Sequence, residues 1–229
     1  MPNYVKQNIS FLGEQEQIEN LFELIKSDKG LIDFEKIIPM PESLKITSGS
    51  STDLGILILN YRKNGDDKEL RNRLNSTNLK TFNNIDELIN HYIDRGIANL
   101  NEAQQALNNI ERYGAKDWHS WSCNNWGTKW NAGNTSRKNN ILSFETAWSV
   151  AEPILVKLSK LFSELTLHVE YADEDIGSNC GEFELLNGVI MNEKTYDGVK
   201  SCEVWGYDPA DFFIEIRRDR KIDDILKSE

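Results

Sequence analysis

Hydrophobic and polar residues alternate strictly at the start of the chain. Val5, Gln7, Ile9 and Phe11 are separated by Lys6, Asn8 and Ser10, the period of a strand with one buried face, and Gly13 ends it. The period then becomes helical: Ile18, Leu21, Phe22 and Ile25 mark an amphipathic helix of about three turns. Leu31 to Ile38 reads as a second strand, stopped at Pro39-Met40-Pro41 because proline has no N–H to give a ladder. Much further along, Leu142, Phe144, Thr146 and Trp148 share one strand face. Ser149-Val150-Ala151-Glu152 with Pro153 has the capping-box pattern of a helix start, continued by Ile154, Leu158, Leu161 and Phe162. Leu165, Leu167, Val169 and Tyr171 then alternate with Thr166, His168 and Glu170. Glu182–Leu186 and Val189–Glu193 flank Asn187-Gly188, a hairpin signal. From Asp208-Pro209 through Phe212, Phe213 and Ile216 a helix is expected, with Phe212–Ile216 as an edge strand the alternative.

Between the two halves the pattern is helical. Ile89, Ile93, Gly96, Leu100, Ala103, Leu107 and Ile110 recur in steps of three and four, which predicts one long helix over 85–112 with Ile93, Leu100 and Leu107 on a buried seam. Asn84 is its expected N-cap, with Glu87 at the third position, and Gly114 its stop. Leu54–Tyr61 reads as a shorter helix begun near Ser51 and ended at Asn64-Gly65. Together these elements predict an α+β fold: a split ferredoxin-like βαβ–βαβ antiparallel sheet with a long helical insertion and an extra C-terminal hairpin. The expected strands lie near 4–12, 31–38, 141–148 and 165–172, with helices 14–27 and 152–163 on one face. The expectation is a single domain over 1–229, with its core in 1–41 and 140–193. A Trp-rich helical insertion fills 42–139, and 194–229 is an extension.

Composition excludes several classes. The chain has 229 residues, 39% hydrophobic, with six Trp and nine Phe, enough for a packed core. No run approaches the roughly 18 apolar residues of a membrane helix. The start, Met1 to Lys6, lacks a basic-then-apolar leader, and three cysteines (Cys123, Cys180, Cys202) fit reduced thiols better than a disulfide framework. A cytoplasmic protein is expected, so Asn8-Ile9-Ser10, Asn75-Ser76-Thr77 and Asn134-Thr135-Ser136 read as chance glycosylation matches. Residues 140–229 carry 9 cations against 19 anions and the first 139 carry 17 against 18, within a net charge of −11. Such a balance argues against long nucleic acids as partners. Two segments are locally basic: Arg62 to Lys80 has six cations against three anions, and Lys116 to Lys138 four against one. A small anion could be met there.

The densest chemistry lies in Trp118–Asn131, where four of the six tryptophans fall among amides, hydroxyls and Lys129, with no Leu, Ile or Val. Rings that stack, amides that read edges and a cation suit a flat polar ligand. The alternative is that the tryptophans cap the insertion against the sheet. Asn125-Trp126-Gly127-Thr128-Lys129-Trp130-Asn131-Ala132, Phe144-Glu145-Thr146-Ala147-Trp148-Ser149 and Tyr171-Ala172-Asp173-Glu174-Asp175, with Gly177 and Gly181, resemble the YubB ferredoxin-like domain family. Ile37-Ile38-Pro39-Met40-Pro41-Glu42-Ser43-Leu44 is similar to it as well. The resemblance implies a ferredoxin-like fold and a setting in phages or plasmids, hence a bacterial host cytoplasm, and brings no activity or catalytic residues.

Asp173, Asp175, Asn179 and Glu184 roughly track positions of a calcium loop, but the glycine needed at the sixth position is Ser178 and a strand precedes the loop. A solvated acidic loop, or acceptors for ligand hydroxyls, is the preferred reading. Asp117, His119 and Cys123 have nothing that orients them into a triad, and no zinc spacing, Walker loop or dinucleotide fingerprint occurs. The expected ligand-binding set is therefore Asn125, Trp126, Thr128, Lys129, Trp130, Asn131, Trp148, Asp173 and Asp175, around a concave pocket, with no catalytic set, metal or cofactor. The leading expectation is a non-catalytic binder of a small polar or nucleotide-like ligand, sequestering a host defence signal. The alternatives are an acidic protein-binding inhibitor and a phosphodiesterase-like hydrolase built on Asp173, Asp175 or His119. No membrane partner is expected, and homo-oligomerisation stays open.

Overall fold

The computed structural model describes residues 3–74 and 82–214. The sequon at Asn75, the basic residue Lys80 and the end of the expected tail helix at Ile216 lie outside them. The chain runs β1 (Tyr4–Leu12), α1 (Gln15–Ile25) and the short α2 (Phe34–Ile37), then a helical stretch. That stretch comprises α3 (Ser50–Asn64), α4 (Lys68–Arg73), α5 (Ile85–Asp94), α6 (Leu100–Tyr113) and α7 (Trp118–Asn125). It is followed by β2 (Gly133–Lys138), β3 (Ile141–Ala147), α8 (Glu152–Leu161), β4 (Thr166–Asp173), β5 (Gly181–Leu186), β6 (Val189–Thr195) and α9 (Gly198–Trp205). Residues 209–214 are helical again, as the tail pattern predicts. Among the described residues, no helix is long and apolar enough to cross a membrane.

Two compact units emerge: Met1–Pro39 with Cys123–Glu229, and Met40–Ser122. In the first, β1 is the central strand, antiparallel to β3 on one edge and to β4 on the other. The full order is β2-β3-β1-β4-β5-β6, antiparallel throughout. The connections β1-α1-β2 and β3-α8-β4 make the ferredoxin-like arrangement, and the β5–β6 hairpin turns at Asn187-Gly188 and extends its edge. One face is closed. Val5, Ile9, Phe11, Leu142, Phe144, Leu167, Val169, Phe183 and Leu185 are buried with Ile18, Leu21 and Ile25 of α1 and Ile154, Leu155 and Leu158 of α8. Phe11 meets Phe22 edge-on at 5.3 Å, and Gln7 accepts the Ala151 amide at 3.1 Å, so both helices lie on this face. The other face takes α9, whose Val204 and Trp205 carbonyls accept from Asn8 at 3.1 Å and from Lys6 at 3.2 Å.

Four expectations need correction. Leu31–Ile38 is not a strand: Asp33 accepts the Glu35 amide at 3.0 Å and caps α2, and Phe34 and Ile37 are buried at helical spacing. The place beside β3 belongs to β2, whose polar sequence carries no alternation because it is a largely exposed edge. Ser149 does not cap α8; its hydroxyl donates to the Gly127 carbonyl. Trp148 does not continue the face of Leu142, Phe144 and Thr146, because the strand ends at Ala147. The long helix over 85–112 is two helices, α5 capped by Asn84 and α6 capped by Asn99, with Gly96 at φ 69° between them. The break changes the phase of the seam. Ala103, Ala106 and Asn109 are buried on α6, Leu107 only in part, and Ile110 is exposed.

In the unit Met40–Ser122, Leu54, Ile58, Leu70, Leu88 and Ile89 are buried together, with Ile93 and Leu100 packed at the margin. Helices α3 and α6 approach closely because Gly55 faces Ala103: a Cβ on Gly55 would lie 2.7 Å from Ala103 Cβ and 2.6 Å from the Asn99 carbonyl oxygen. Asn109 is buried with every polar group used, donating to the Ser43 and Lys116 carbonyls at 2.8 and 3.2 Å and accepting from Ser43 Oγ and Gln105. Gly55→Ala gains about 1 kcal/mol of helix propensity, whereas forcing the helices apart costs about 1–3 kcal/mol. The clash is with backbone, so a net loss of stability is expected, measured as a lower urea midpoint against wild type.

Candidate functional site

The segment that follows α7 contains most of the residues singled out in the sequence, and it divides by burial. Asn125 ends α7 and is half-buried. Trp126 is buried at 4% exposure; its Nε1 donates to the Ile38 carbonyl at 2.8 Å and its ring meets Phe34 edge-on at 5.8 Å. Thr128 is buried and donates to the Ala147 carbonyl at 2.9 Å. Asn131 donates to Asp33 at 2.6 Å while accepting the Phe34 amide at 2.9 Å. These three side chains brace α2 and the end of β3. Burial alone would raise the Asp33 pKa, but hydrogen bonds from the Asn131 and Ser27 side chains and the Glu35 amide outweigh it and hold the carboxyl below its ordinary value.

Lys129, Trp130 and Trp148 form a separate cluster. The Lys129 ammonium lies 4.8 Å from the Trp130 ring centroid and 5.0 Å from that of Trp148. Trp148 is 45% exposed and sits at φ 71°, the one non-asparagine, non-glycine residue at positive φ among those described. A bulky residue in the left-handed region costs on the order of 1–3 kcal/mol. Its backbone is held at three points. Its N–H donates to the Asn3 carbonyl at 2.9 Å, its carbonyl accepts from Asn179 at 3.2 Å, and Ala147 before it carries the Thr128 bond.

The same asparagines bring the acidic loop to this end of the sheet. Asn3 donates to Asp173 at 3.2 Å, the Asp173 amide donates to the Asn179 carbonyl at 3.2 Å, and the Asp175 amide donates to the Asp173 side chain at 2.9 Å. Asp175 accepts from the Ser178 hydroxyl at 2.9 Å. Glu184 does not join them. Register settles this: Asp173 is opposite Val5, on the helix-covered face, whereas Glu184 is opposite His168, on the other. In the other unit, Asp117 accepts from the Ser120 amide and hydroxyl, each at 2.9 Å, and the His119 ring meets Trp118 edge-on at 5.5 Å. That unit also holds a cavity of about 440 Å³ lined by Leu54, Arg73, Phe82, His91, Tyr92 and Ile97, among others.

Residues 125–210 match a family described as a ferredoxin-like domain in Api92-like protein. The match starts at the Trp-rich segment and runs through β2, β3, α8, β4, β5, β6 and α9 to the start of the last helix. Among solved structures, the chain is similar to the crystal structure of a protein api92 from Yersinia pseudotuberculosis. The two are 13% identical, with 86% of this chain and 98% of that chain covered and a TM-score of 0.39. No curated protein matches the sequence.

The structure brings together Lys129, Trp130 and Trp148, with Asp173 and Asp175 linked to Trp148 through Asn3 and Asn179. Trp126, Thr128 and Asn131 are bonded instead to Ile38, Ala147 and Asp33. Sequence reasoning did not select Asn3. The available signal was its place one residue before the central strand, where a polar side chain reaches the strand ends on both sides. The brace is testable. Asn131→Ala removes the donor to Asp33, so stability at neutral pH falls by about 1–3 kcal/mol. Because the Asp33 pKa is depressed, its contribution is present above the ordinary value of 3.8 and is lost as pH falls through the folded value. Urea melts of wild type and variant should therefore differ most at pH 7, and the difference should narrow as pH falls from 3.8 through the folded Asp33 value, leaving the part due to the lost acceptor for the Phe34 amide.

Proposed function

We propose that the protein binds a small, flat, anionic ligand of the nucleotide class, and that Lys129, Trp130 and Trp148 are the surface it meets. The observation that carries this reading is Trp148. A large apolar ring stands half in solvent, in a backbone conformation that disfavours it, with an ammonium placed over it. Strain held in place by surrounding bonds is characteristic of binding and switch positions. The exposed ring gives a stacking ledge for a base, and Lys129 gives the charge for a phosphate. Trp126 and Asn131 tie the chain on either side of Lys129 to Ile38 and Asp33. No group in the cluster is arranged as a nucleophile with its base, so the reading is binding without turnover. The resemblance of the sequence to YubB proteins supports reading that ligand in a mobile-element setting, and the role we infer for it there is sequestering a nucleotide-derived host signal.

Two variants separate recognition from architecture. Trp148→Gly fits φ 71° without strain. The relief of about 1–3 kcal/mol offsets the about 0.5–1 kcal/mol of an exposed cation–π contact and part of the burial lost with a ring that is 45% exposed, so the variant should stay folded with a modest change in melting temperature. Calorimetry with mononucleotides and cyclic dinucleotides should show binding weakened by the worth of one stacked base, about 1–3 kcal/mol. Lys129→Ala should weaken binding and flatten its salt dependence. Unchanged affinity in both variants, with a weaker complex in Arg73→Ala instead, would move the ligand to the cavity of the other unit.

A further inference from the structure

On the sheet face opposite α1 and α8, away from the Lys129 cluster, the register assembles metal-ligating side chains. His168 and Glu170 are two apart on β4 and so project to one side, and Glu182 of β5 is directly opposite Glu170. One ligand atom from each lies within 4.8 Å of the others. We propose that His168, Glu170 and Glu182 form a binding site for a divalent transition metal of the zinc class.

Three features support the assignment. First, the donor set is one imidazole and two carboxylates, which suits zinc and its neighbours better than the oxygen-only sites of calcium or magnesium. A tetrahedral zinc with bonds of about 2.0–2.2 Å needs its ligand atoms about 3.3–3.6 Å apart, so closure by up to roughly 1.5 Å through side-chain torsions completes it. Second, the imidazole is set between carboxylates. Its Nε2 is 3.7 Å from Glu182 Oε2, and its Nδ1 is 4.0 Å from Glu184 Oε1, whose other oxygen is held by Asn192 at 2.6 Å. On closing to hydrogen-bond distance as the site forms, Glu184 would fix the tautomer and orientation of the ligating ring. Third, two carboxylates converge on one hydroxyl: Tyr196 Oη is 3.0 Å from Glu170 Oε1 and 2.8 Å from Glu182 Oε2. A phenol has a single proton, so only one of those contacts is a full hydrogen bond at a time. Lys194 takes the remaining Glu182 oxygen at 2.6 Å, and Lys200, itself paired with Glu203, acts on both glutamates from longer range, so a bound cation would share their charge with these two lysines. Three protein ligands leave the fourth zinc position open to water or a ligand group.

The test uses the full chain stripped of metal and titrated with zinc chloride, and separately with magnesium chloride, by calorimetry. One equivalent of zinc should bind, and magnesium far more weakly. His168→Ala and Glu182→Gln should each weaken zinc binding at least tenfold, and Glu184→Gln by about 10–100-fold through loss of orientation. Circular dichroism without metal should show all three variants folded. As a check needing no variant in the site, manganese should broaden the His168 imidazole resonances in the wild-type spectrum and spare those of His91 and His119. Zinc affinity unchanged by His168→Ala, broadening confined to His91 or His119, or no binding at millimolar zinc would overturn the assignment.

Discussion

The structure depends on β1 being paired along both edges. A central strand has no free backbone groups, so its register with β3 and β4 is fixed on two sides, and a slip of one residue would turn Val5, Ile9 and Phe11 out of the core. One polar side chain sits among these positions. Gln7 is fully buried, and it donates to Thr146 Oγ at 2.6 Å and accepts from the Ala151 amide at 3.1 Å. Thr146 passes the chain of bonds to the Ser149 carbonyl at 2.7 Å. An unpartnered amide there would cost about twice what a formed bond gains, so the network selects the path from the end of β3 into α8.

That path matters for the candidate site because Trp148 lies on it. Between Thr146 and Ala151 the chain must leave the sheet, turn and start a helix, and Trp148 absorbs the turn at positive φ. The bonds around it come from Asn3, Thr128 by way of Ala147, and Asn179, residues from three distant parts of the chain. The strained tryptophan and the cation beside it are thus products of how the sheet is closed at that end. Buried Trp126 and Asn131 keep the Lys129 segment in position against α2.

The two faces of the sheet have different chemistry for a related reason. Helices α1 and α8 exclude water from one face and leave it apolar, Gln7, Thr146 and Asp173 apart. On the other, α9 covers Lys6 and Asn8, and β4, β5 and β6 carry His168, Glu170, Glu182, Glu184 and Lys194. The Lys194 ammonium and the Tyr196 hydroxyl hold the Glu182 carboxyl below its ordinary value, while burial and the two glutamates push Tyr196 up. Charge is therefore concentrated beside a rigid β ladder, where side-chain positions are set by register.

Much of the fold was legible in the sequence where a periodic signal met a strong local one. The alternation of Val5 to Phe11 and of Leu165 to Tyr171, the stripe Ile18 to Ile25 and the Asn187-Gly188 turn each determine an element from adjacent residues alone, and the Asn84 cap does the same for α5. What the sequence could not determine was anything set by a partner. Residues Gly133–Lys138 are polar and lack alternation, and only the free edge of β3 makes them a strand. Leu31–Ile38 is apolar enough for a strand, and only Asp33 with Asn131 turns it into a helical cap. The same limit applies to the site: composition picked out Trp126, Lys129, Trp130 and Trp148 together, but which ring is buried and which stands in solvent depends on contacts with Ile38 and Asn3, roughly a hundred residues or more away in sequence. Local propensity acts over one or two turns of chain, whereas burial is decided by what the rest of the molecule leaves uncovered.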